Sequence, residues 1–91
     1  MTLRVTLAAM LADHIGGQQK LEVAGETAGE VLRNLSQDYP ALSTLLWKPD
    51  GEFNPMLVVF LGNDDIRHLE GLETPLHSGQ ELTIISAIEG G

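Results

Sequence analysis

From Thr2 to Ala8 the chain alternates, with Leu3, Val5 and Leu7 set against Thr2, Arg4 and Thr6. A period of two predicts a half-buried strand. Lys20 to Ala24 alternates again through Leu21 and Val23. Between them Gly16, Gly17, Gln18 and Gln19 supply turn residues, so a hairpin with a long loop is expected. The period then changes. Thr27 and Glu30 form a capping-box pattern, and Val31, Leu32, Leu35 and Tyr39 share one helical stripe. Pro40 disfavours helical backbone at Tyr39. A helix is therefore expected from about Ala28 to Asp38, weakened by Gly29 by about 1 kcal/mol relative to alanine. Pro40 to Trp47 reads as a second short helix, with Pro40 in its first turn and Leu42, Leu45 and Leu46 turned inward.

Lys48 to Pro55 is a loop built on a Pro-Asp-Gly turn. Leu57 to Leu61 is apolar without alternation, which predicts a central strand covered on both faces. Gly62 to Asp65 makes a turn, and Asp65 to His68 a short strand or bend. Leu69 to Glu81 is irregular, with a turn at Ser78-Gly79. Leu82 to Ile88 is the last strand, and Gly90-Gly91 follows. The order is β-β-α-(α)-β-(β)-β. It fits an α+β domain in which a mixed sheet of about four or five strands packs on one main helix.

Composition narrows what such a domain does. Its 91 residues suit a single domain over residues 1–91, able to bury roughly 60–65% of its unfolded surface. Five basic residues stand against thirteen acidic ones, a formal charge of −8. Arg4, Lys20, Arg33, Lys48 and Arg67 are scattered, which argues against nucleic-acid binding. An anionic membrane surface is disfavoured for the same reason. The longest apolar run, Met56 to Leu61, is too short to span a bilayer. The first residues carry one early positive charge and alternate like a strand, unlike a signal peptide. There is no cysteine, which removes disulfides, thiolate metal sites and a cysteine nucleophile, and fits a cytoplasmic protein.

No catalytic constellation emerges. His14, His68 and His77 lack the spacing of a metal site. Asp64, Asp65, Glu70 and Glu73 do not follow a calcium-loop pattern. Ser36, Ser43 and Ser78 lie in no nucleophile elbow, and Gly16-Gly17 precedes a strand rather than a helix. The expectation is a protein that is not an enzyme and binds neither metal nor cofactor. The terminus differs from the rest. Two final glycines arise by chance about once in a hundred on this composition. A glycine carboxylate has no Cβ beside it, and a Gly-Gly tail threads a channel too narrow for other residues. Such a carboxylate is suited to activation by another enzyme as an acyl-adenylate.

The stretch His77 to Gly91, "HSGQELTIISAIEGG", then resembles the ubiquitin-like β-grasp sulfur carriers. These include the small subunit of molybdopterin synthase, the thiamine-biosynthesis carrier and a cysteine-biosynthesis carrier. Gly79, Glu81, Leu82, Ile84, Ile88, Gly90 and Gly91 match the family's pattern, and the likeness runs from about Thr2 to Gly91. The loop Trp47 to Pro55 and the stretch Val59 to Leu76 resemble the longer members. The resemblance implies a ubiquitin-like β-grasp fold with a flexible tail at residues 89–91. It implies that an E1-like activating enzyme uses ATP to adenylate Gly91, which then becomes a thiocarboxylate. Gly90 would thread the tail into partners. The client would be a synthase of the cysteine synthase or large molybdopterin-synthase subunit type. By position, partner contacts fall at Ala8, Ile66 and Ile85, with Ile88 beside them next to the tail. Ala8 stands where an aromatic is common, Ser86 and Ala87 where proline is common, and Glu89 where a small or neutral residue is common.

One of the adjacent pair Ile84 and Ile85 must point away from the helix, which makes Ile85 a candidate contact independently. Two other functions share these features. A ubiquitin-like protein modifier would use the same activated terminus on lysine amines, and a plain interaction module would not need the glycines. A monomer that docks transiently is the expected state.

Overall fold

The computed structural model describes residues 1–87. Five strands form one mixed sheet in the order β2-β1-β5-β3-β4. Strand β1 (Thr2–Leu7) buries Leu3, Val5 and Leu7, as its alternation predicts. It pairs antiparallel with β2 (Lys20–Ala24), from Thr2 opposite Ala24 to Thr6 opposite Lys20. The hairpin is real, but its connection is not a plain loop. Ala9–Ala12 form a short helix, α1, and Asp13–Ile15 continue as a 3-10 turn. Leu11 and Ala12 are buried, which anchors the connection to the core. Gly16, at φ 79°, ends it in the left-handed region. One helical turn is too short to show a stripe in the sequence.

The main helix, α2, spans Ala28–Asp38, where the sequence places it. Thr27 Oγ1 accepts the Glu30 N–H at 3.2 Å. The Glu30 carboxylate reaches back to the Glu26 N–H at 2.9 Å, one residue beyond the usual capping-box partner. Val31, Leu32 and Leu35 are fully buried against the sheet. Beyond Tyr39 a 3-10 turn (Pro40–Leu42) runs into α3 (Ser43–Leu46), with Leu42 and Leu46 buried and Leu45 half-buried.

The loop after α3 is pinned rather than loose. Trp47 Nε1 donates to Ser36 Oγ at 2.8 Å, the Trp47 ring meets Phe53 edge-on at 5.3 Å, and the Arg33 guanidinium sits 4.8 Å over it. These contacts tie the loop to α2 and fix where the next strand starts.

Strand β3 (Leu57–Leu61) pairs antiparallel with β5 (Glu81–Ser86), and β5 pairs parallel with β1. Strand β4 (Asp64–Asp65) is a two-residue edge. The expectation that Leu57–Leu61 is covered on both faces is corrected. Leu57, Val59 and Leu61 are buried, whereas Val58 and Phe60 are half-buried on the opposite face. The helices and turns pack on one side of the sheet only, so an unbroken apolar run here serves one buried face and one open face. The last strand ends at Ser86, and Ile88, assigned to it from the sequence, lies outside the described residues. Among the described residues no helix is long and apolar enough to cross a membrane.

Gly29 carries a testable consequence. A Cβ built there would meet the Leu72 carbonyl oxygen at 3.0 Å and Leu72 Cβ at 3.2 Å. Gly29→Ala should therefore destabilise the domain by about 1 kcal/mol despite gaining helix propensity. Urea unfolding of the two proteins checks the sign, and a more stable alanine variant would contradict this packing.

Candidate functional site

Residues opposite one another in a sheet share a face. Thr6 lies opposite Thr83 and Thr83 opposite Phe60, while Ile85 lies opposite Val58. All sit on the face away from α2. Ala8 follows β1, and its N–H donates to the Ile84 carbonyl at 2.9 Å. The Ala87 N–H donates to the Met56 carbonyl at 2.8 Å, which continues the β3–β5 register by one more pair. Met56 therefore shares the open face with Val58 and Phe60.

This face is divided. Its far end is polar, with Arg4 opposite both Glu22 and Glu81 and the Thr6 hydroxyl donating to the Glu81 carboxylate. Its other end is apolar, formed by Ile85, Val58, Phe60, Met56 and Ala8. The apolar end is the one from which β5 runs on toward the chain terminus. A half-buried apolar cluster of this kind is an interaction surface in soluble domains more often than single exposed residues are.

A charged pair borders the cluster. Asp65 lies opposite Phe60, and its carboxylate accepts from Arg67 Nη2 at 2.6 Å and Nε at 3.1 Å. Its Oδ1 also accepts the Arg67 N–H at 2.9 Å. The Arg67 guanidinium and N–H together hold the Asp65 carboxyl below its ordinary range, and Asp65 raises Arg67 in turn. The pair stays charged through neutral pH and marks the β4 border of the apolar surface.

Two of the four predicted contact residues, Ala8 and Ile85, thus come together on the open face. Ile66 does not. It is only 4% exposed and lies on the helix side, lining a cleft of about 240 Å³ with Leu57, Val59 and Leu72. The reason is parity. Asp65 takes the open face opposite Phe60, and the 3-10 turn Ile66–His68 sends the next side chain into the core. Ile88, Gly90 and Gly91 lie outside the described residues. Val58, Phe60 and Met56 were not singled out by sequence. Val58 is the partner of Ile85, and Met56 and Phe60 lie two residues to either side of Val58, but reading this needs the strand register. Among the described residues no three His, Asp or Glu side chains are gathered to hold a metal.

Comparison with known proteins adds to this geometry. The ThiS family model matches residues 5–91, a span that includes Gly90 and Gly91. The sulfur carrier protein CysO of Mycobacterium tuberculosis is 30% identical over 93 aligned residues, covering all of both chains. The small archaeal modifier protein 1 of Methanosarcina acetivorans superposes with a TM-score of 0.86 at 31% identity, covering 99% of this chain and 96% of that one. The structure of the Amycolatopsis orientalis BexX/CysO complex matches with a TM-score of 0.85 at 27% identity, covering 98% of this chain and 99% of that one.

The two faces are separable by mutation. Ile66→Ala should cost about 3 kcal/mol as a core truncation, and Ile85→Ala less than about 1 kcal/mol. Denaturant melts of both variants measure the difference. Equal costs would show that the open face is not open.

Proposed function

The chain belongs to the ThiS family, and from that premise we propose that it is a sulfur carrier charged at Gly91. The Gly91 carboxylate attacks the α-phosphorus of ATP in an E1-like enzyme, and pyrophosphate leaves. Sulfur at the oxidation level of hydrosulfide then attacks the acyl-adenylate carbonyl, AMP leaves, and a thiocarboxylate remains. A client synthase takes that sulfur. Whole-length similarity to CysO favours a cysteine-forming client over a molybdopterin-forming one. The chain supplies the carboxylate and a docking surface, and its partners supply the catalytic groups.

One observation supports this most. The apolar end of the open face borders the exit of β5 toward the terminus. Four residues follow Ala87, and four residues reach at most about 14 Å. A partner that reacts with Gly91 must therefore come within about 14 Å of Ala87, beside which Ile85, Val58 and Met56 lie. Phe60 offers an aromatic ring on this surface, two strands from Ala8.

A second reading is a modifier joined through Gly91 to lysine amines. It is favoured by the likeness to small archaeal modifier protein 1. A plain interaction module is the third, and it would keep its function without Gly90-Gly91.

Incubation with an E1-like activating enzyme, ATP and a sulfur source should raise the intact mass by the difference between sulfur and oxygen. Deleting Gly91 should abolish the gain. No gain in the full chain would count against the carrier reading, while Gly-Gly remnants on client lysines would favour the modifier. In the same assay Ile85→Lys should raise the KM for the carrier about tenfold and leave kcat unchanged. An unchanged KM would remove the open face from the interaction.

A further inference from the structure

The chain has three methionines and no cysteine. Its side-chain sulfur chemistry is therefore that of thioethers. Methionines commonly fill irregular gaps in cores, yet here Met10 is 38% and Met56 44% exposed. Both lie at the end of the sheet where β5 leaves. Met10, in α1, lies two residues after Ala8, whose N–H is bonded to the Ile84 carbonyl. Met56 is paired with Ala87 and continues the Val58 and Phe60 row on the open face. Its thioether thus belongs to the apolar surface, directly across from the last described residue.

We propose that Met56 is an oxidation site that controls docking at the open face, an inference that rests on the carrier reading above. A hydroperoxide is the oxidant. The sulfur lone pair attacks one peroxide oxygen, the O–O bond breaks and an S–O bond forms. Sulfur loses two electrons, the peroxide is reduced, and the departing oxygen takes up a proton to leave as water or an alcohol. The sulfoxide is a polar acceptor in a row that was apolar. A partner that covers it must desolvate that acceptor, which weakens binding. The fold is spared, because the Met56 side chain is outside the core. Methionine sulfoxide reductases can restore the thioether.

The test presents hydroperoxide-treated and untreated full-length chain to the activating enzyme. Pyrophosphate exchange into ATP is the readout, and peptide mass mapping locates each sulfoxide. Treatment should raise KM about tenfold, with kcat and melting temperature unchanged. Met56→Leu should be insensitive to treatment, and Met10→Leu should respond like the natural chain. Three results would overturn the proposal. One is a sulfoxide mapped to Met56 with KM unchanged. Another is Met56→Leu losing as much affinity on treatment. The third is a Met56 left unoxidised at doses that convert Met10. If the untreated chain supports no exchange, the carrier reading fails and the proposal falls with it. That outcome is recognisable because it arises before any oxidant is added.

Discussion

The parallel pairing of β1 with β5 is the contact on which the rest of the structure depends. Thr6 and Glu81, joined side chain to hydroxyl across it, are 75 positions apart. The two strands nearest the ends of the chain thus occupy the middle of the sheet, with β2 added outside one and β3 outside the other. Parallel neighbours need a crossover, and α2 provides it by lying over a single face. Val5, Leu82 and Ile84 are fully buried beneath it. Closing so long a loop costs entropy before any contact repays it, so the apolar face under α2 has to be continuous.

Placing β5 centrally has a second effect. A strand flanked on both sides by partners holds its direction as far as Ala87, whose N–H is bonded to the Met56 carbonyl. Since α2 and the short helices cover one face, the other is left to the side chains of β1, β5 and β3. The apolar end of that face and the exit point coincide. An anchored strand before the terminus and an uncovered surface beside it are two results of one topology, and neither needs a catalytic group.

Sequence legibility followed the length of each pattern. Helix α2 was readable to the residue because eleven positions of helical period were bracketed by Thr27 and Pro40. Strands β1 and β2 were readable from alternation. Helix α1 was not, because four residues carry too little period. Strand β3 misled in a specific way. Val58 and Phe60 are apolar like the core residues between them, so no alternation marks the open face. Ile66 was named as a contact by its position in the resemblance alone, and the structure buries it because its face depends on the turn after a two-residue strand, which local sequence does not set. Ile85 was placed on the open face by its parity with Ile84, independently of the resemblance. The site was therefore legible where the strand period carried it and hidden where cross-strand register did.

On the carrier reading, charge and shape divide the work of partner recognition. A chain with a formal charge of −8 is drawn to a basic partner over long range, which raises the encounter rate more than the final affinity. The apolar end of the open face acts only at contact. It is built from a few half-buried side chains and the exposed Met56, with Asp65 and Arg67 neutralising each other on its border. That is much smaller than an obligate interface, which resembles a core cut in half. On the carrier reading this suits a protein that must leave one enzyme carrying sulfur and dock on another. Tight binding to either would slow the exchange, because differences in affinity are expressed mainly in dissociation rates. On that reading a modest apolar contact beside Ala87 would let the partner's grip on Gly90 and Gly91 decide when the cargo is taken.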